Sequence, residues 1–101
     1  LRVYFGATLI YDSGALAIGV ATNRWTVNVL CIRVSSSVVR CSTWVNSDFA
    51  TLFPYSAYAE VTGLTLTNTQ ILKITGTAAG AGALSNQITG KLGCVDWRGA
   101  A

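Results

Sequence analysis

Histidine is missing from this 101-residue chain, and charge of either sign is scarce. Without histidine the chain lacks the commonest general base, the usual partner of a serine or cysteine nucleophile, and the commonest metal ligand. Only 11% of the residues are charged, against roughly 25% in an average soluble domain. So few charges cannot cover a monomer with well-hydrated groups, so much of the apolar surface is expected to meet another chain, and a homo-oligomer is the default. No run approaches the roughly 18 to 20 uninterrupted apolar residues of a spanning helix. A minimal β-barrel would escape that test, but the aromatics form no paired girdles, so no membrane partner is expected.

The four acids, Asp12, Asp48, Glu60 and Asp96, are isolated from one another. A glycosidase-like pair would need two of them to converge in space. The plainer reading makes Asp12, ahead of Ser13-Gly14, a turn former and places Asp48 in a loop. The cysteines, Cys31, Cys41 and Cys94, contain no CxxC pair, which argues against structural zinc. Their odd number argues against a disulfide framework. Calcium would need an Asp-rich loop, and the glycines of residues 76–82 lack a phosphate-binding pattern. Neither an enzyme nor a cofactor is expected. The net charge of +3 is spread singly over Arg2, Arg24, Arg33, Arg40, Lys73, Lys91 and Arg98. That scatter does not suggest a nucleic-acid partner, which usually requires a basic cluster.

What the chain has is alternation with a period of two. Strands are expected over 1–5, 8–12, 24–34, 38–46, 57–67, 70–75 and 86–97. Tight turns are expected at Gly6-Ala7, Ser35–Ser37 and Asn68-Thr69. Gly63 interrupts the fifth strand as a bulge or bend. The run 76–83 reads as a Gly/Ala loop, and no helix is convincing. About seven antiparallel strands in one domain, residues 1–101, suggest an all-β sandwich with a jelly-roll-like topology. Because residues 1–5 already read as mid-strand, a preceding strand or anchor segment is expected to belong to the module.

The segments 24–34 and 38–46 make the strongest hairpin. Trp25, Val27, Val29 and Cys31 share one face, and Val39, Cys41, Thr43 and Val45 alternate with Arg40, Ser42 and Trp44. A turn centred on Ser36 sets Cys31 against Cys41. A cross-strand disulfide is open to them, with reduced buried thiols the favoured reading. Trp25 reads as core. Trp44, on the face opposite Val39, Cys41 and Val45, reads as exposed or at a subunit contact. Phe49, Phe53 and Tyr55, on a loop around the single proline, complete the candidate recognition surface. Interface packing is favoured over sugar stacking as their role.

The stretch Leu1-Arg2-Val3-Tyr4-Phe5-Gly6-Ala7-Thr8-Leu9-Ile10-Tyr11-Asp12-Ser13-Gly14 carries a strand, a Gly-containing turn and a strand ending in Asp-Ser-Gly. Together with the Trp25 strand with Arg33 before a Ser-rich turn, Asn68-Thr69-Gln70 and Asn86-Gln87-Ile88, it resembles the C-terminal head domains of structural proteins from tailed bacteriophages and related marine viruses. The resemblance implies a jelly-roll sandwich, often trimeric, displayed as a fibre head, spike or capsid decoration on the virion surface. Other virion proteins and a host surface glycan would be its partners. No functional residue is carried over, since these heads share no fixed binding motif. Two other readings are a carbohydrate-binding sandwich and a self-assembling extracellular filament protein.

Overall fold

The computed structural model describes residues 1–15, 24–47, 54–77 and 93. Six strands lie in them: β1 (Arg2–Phe5), β2 (Thr8–Asp12), β3 (Trp25–Arg33), β4 (Val39–Ser47), β5 (Ser56–Val61) and β6 (Leu72–Thr75). Two antiparallel three-stranded sheets, ordered β2-β1-β6 and β3-β4-β5, pack together as a sandwich, and the described residues include no helix. In the second sheet three consecutive strands lie side by side as a meander. A jelly roll instead passes successive strands from sheet to sheet, so that finer topology is not seen among the described residues. The expected strand over 86–97 lies outside them.

The β1–β2 hairpin turns at Gly6-Ala7. Gly6 has φ +60° and Ala7 is not in the left-handed region, the pattern of a type II′ turn. Val3 pairs with Tyr11 and Tyr4 with Leu9, so Ile10 is an extra residue in β2. That bulge breaks the period of two and lets Ile10 and Tyr11, adjacent in sequence, both be buried. The Tyr11 hydroxyl donates to the Pro54 carbonyl at 2.6 Å, joining β2 to the approach to β5. β2 also packs across β5 and β4, which closes the core.

Val3, Ile10, Tyr11, Val39, Cys41, Val45 and Val61 form that core, with Val27, Val29, Cys31, Ala57 and Ala59 packed partly buried against it. Each fully buried valine stabilises the fold by about 1.5–3 kcal/mol relative to exposure. Along β4 the expected alternation holds throughout: Val39, Cys41, Thr43 and Val45 are buried, whereas Arg40, Trp44 and Asn46 are exposed. Trp25, expected in the core, is half-buried.

Two strands are shorter than the sequence suggests: the one expected over 70–75 begins at Leu72, and the other loses more. The expected strand over 57–67 ends at Val61. Gly63 adopts φ +68°, outside any extended conformation. Beyond it the Leu64 and Leu66 amides donate to the carbonyls of Ser37 and Ser36, at 3.0 and 3.2 Å. The apolar residues of 64–66 thus cap the β3–β4 turn instead of extending a ladder.

Candidate functional site

The outer faces of the two sheets differ in chemistry. On the β2-β1-β6 sheet, Arg2 pairs with Asp12 at 2.9 Å and the Lys73 ammonium stands 4.7 Å from the centre of the Tyr4 ring. The Asp12 carboxyl is held below its ordinary value, first by the Gly14 amide and then by the Arg2 guanidinium. The bond from Gly14 N–H to Asp12 Oδ1, 2.9 Å, makes the turn that the sequence suggests there.

The outer face of the β3-β4-β5 sheet sets four exposed large hydrophobic side chains among small polar ones and one ion pair. The register lays it out in rows: Ile32, Arg40 and Glu60; then Leu30, Ser42 and Tyr58; then Asn28, Trp44 and Ser56. Leu30 is 51% exposed, Ile32 56%, Trp44 45% and Tyr58 63%. Arg40 and Glu60, its two charged residues, bond to each other at 2.9 Å, and the Glu60 carboxylate raises the Arg40 pKa. The face therefore carries no net charge.

The ladder explains why these side chains crowd together. Val45 N–H donates to the Tyr55 carbonyl at 2.8 Å, which makes that step a hydrogen-bonded pair. Pairs alternate along an antiparallel ladder, so Trp44–Ser56, Ser42–Tyr58 and Arg40–Glu60 are non-hydrogen-bonded pairs, whose side chains approach most closely. Trp44 and Tyr58 are diagonal neighbours on adjacent strands, within reach of large rings.

Of the residues that the sequence nominates, Trp44 sits on the central strand of this face. Tyr55 is 61% exposed, but it lies opposite Val45 and so is out of step with Trp44. Phe49 and Phe53 lie outside the described residues. Tyr58, Leu30 and Ile32 join Trp44 on this face, although their own strands do not mark them as site residues. The outward direction of Tyr58 is legible, since Ala57, Ala59 and Val61 occupy the inward positions of β5 and send Ser56, Tyr58 and Glu60 outward.

Both described carboxylates are engaged by arginines, and the described residues contain no cluster of three or more metal-ligating side chains. A shallow hollow of about 220 Å³, lined by Gly6, Thr69, Gln70, Ile71 and Lys73, contains a lone ammonium and no carboxylate. Among the described residues no helix is long and apolar enough to cross a membrane. No protein-family model matches the chain, and comparison with curated proteins and with solved structures finds no match.

Proposed function

We propose that this chain is a non-enzymatic virion module, a fibre head or capsid decoration of a bacteriophage-like particle, which acts by self-assembly through the outer face of β3-β4-β5. The observation that carries the reading is the group of exposed side chains Leu30, Ile32, Trp44 and Tyr58 on the outer face of β3-β4-β5, whose two charged residues pair with each other. Aromatic enrichment with depleted charge is the compositional mark of an interface core. The charge-poor composition and the resemblance of the turns to phage head domains point the same way.

Size refines the reading. Three strands about 4.8 Å apart and up to about 30 Å long give a face of roughly 400 Å² in projection. Each partner in a standard stable interface contributes about 800 Å². A single pairwise contact through this face would be weak, so the module suits an assembly in which each copy makes several contacts, as in a trimer or on a particle surface.

Light scattering with Trp44→Ser/Tyr58→Thr tests the reading. The unaltered chain should run as a discrete oligomer, with a trimer expected, and the double variant as a folded monomer. A natural chain that stays monomeric at every concentration would overturn it. The diagonal placement of Trp44 and Tyr58 on the outer face, with Asn28, Ser42 and Ser56 in the same rows, favours a second reading as a sugar-stacking platform. A monomer that binds glycans on an array and loses binding in the same variant would establish that one instead.

A further inference from the structure

Cys31 and Cys41 stand directly opposite each other in the β3–β4 ladder. Val34 N–H donates to the Val38 carbonyl at 2.9 Å, so that step is a hydrogen-bonded pair. Three steps further, 31–41 is a non-hydrogen-bonded pair, where opposed backbones and side chains lie closest. Both side chains point inward, and their Sγ atoms are 3.0 Å apart. A covalent bond between them needs an approach of only about 1 Å more. Cys31 is half-buried and reachable, whereas Cys41 is 1% exposed.

We infer that Cys31 and Cys41 close a cross-strand disulfide when the chain meets a small-molecule disulfide such as oxidised glutathione. The Cys31 thiolate attacks one sulfur of the oxidant, forms a mixed disulfide and releases one glutathione. Cys41 gives up its proton and attacks Cys31 Sγ, which expels the second glutathione. Two protein thiols are oxidised, one external disulfide is reduced to two thiols, and the two protons end on the glutathiones. The second step is slowed by the burial of Cys41, which disfavours its thiolate. The thiols would stay open in a reducing cytosol and close outside it.

The bond has a mechanical consequence. Among the described residues β3 is paired on one side only, by β4. A staple at 31–41 would fix Leu30 and Ile32 of β3 relative to Trp44 of β4. The inference stands on the ladder alone and holds whether or not the face assembles.

Arg33 and Arg40 lie between the two cysteines, so trypsin separates them onto peptides 25–33 and 41–73. The test uses the full chain and its Cys94→Ser variant, each incubated in a glutathione buffer and digested without reductant. In both, the two peptides should appear as one linked species lacking two hydrogens, and should separate on reduction. Closure of so short a loop should raise the melting temperature by on the order of 10 °C. Cys31→Ser should show no redox-dependent shift. Unlinked peptides, glutathione retained on Cys31, a link to Cys94 or a bond between two chains would each overturn the inference.

Discussion

Thr43 occupies an apolar position. It is 1% exposed, lies between Cys41 and Val45 on the inner face of β4, and is flanked across the ladder by Val29 and Ala57. Among the described residues, its Oγ1 is a buried side-chain atom with no hydrogen-bond partner. Burying a hydroxyl without a partner costs about 1–3 kcal/mol. Thr43→Val replaces the hydroxyl with a methyl group, keeps the β-branched shape and suits a strand. The variant should gain about 1–2 kcal/mol, which for a domain of this size is a rise of roughly 5–10 °C in melting temperature. Thr43→Ser keeps the hydroxyl and removes the methyl, and should lose about 1 kcal/mol. Urea titration of the three proteins would give the order Val above Thr above Ser, with an unchanged m-value. A Val variant less stable than the natural chain by 1 kcal/mol or more would refute the reasoning, because the hydroxyl would then have to be bonded.

Two further substitutions probe β2, one at its bond toward β5 and one at its pair with β1. Tyr11→Phe removes the bond to the Pro54 carbonyl and should cost about 1 kcal/mol in a thermal melt; an unchanged melt would show that the bond does not hold the sheets together. Burial, then the Asp12 charge, raises the Tyr11 pKa above its ordinary 10.0. Its stabilising contribution is therefore complete below pH 10 and lost as pH rises through the raised value, an alkaline loss absent from Tyr11→Phe. The Asp12 pKa is lowered from 3.8. Its contribution is intact above that value and lost as pH falls through the lower folded value, so Asp12→Asn should flatten the acid limb of stability against pH. Identical acid limbs in the two proteins would contradict that account.

Much of the sheet structure is legible in the sequence because strand period and turn chemistry are local. Gly6-Ala7 and Ser35–Ser37 set two hairpins, and the alternation from Val39 to Asn46 assigns each side chain of β4 to a face. The failures arise where a non-local partner overrides the pattern. Leu64 and Leu66 look like strand residues, but they bond to a turn made some thirty residues earlier. Ile10 and Tyr11 cannot both point inward under strict alternation, and only the bulge permits it. Trp44 could be placed on the outer face from its own strand. Its neighbours Leu30 and Tyr58 could be identified only once the pairing of three strands was known, since register is a relation between strands.

The pairing of β1 also bears on how the chain reaches its folded state. β1 lies between β2, joined to it by two residues, and β6, which begins at Leu72. The meander β3-β4-β5 is made of successive neighbours and can form early from nearby contacts, whereas the sheet built on β1 must close a loop of most of the chain's length. On a ribosome, β1 would lack its β6 partner until residues 72–75 emerged. Until then the unpaired backbone edge of Arg2–Phe5 is open to capture by a neighbouring chain, so the delay between the synthesis of β1 and that of β6 is an interval in which this protein can misassemble.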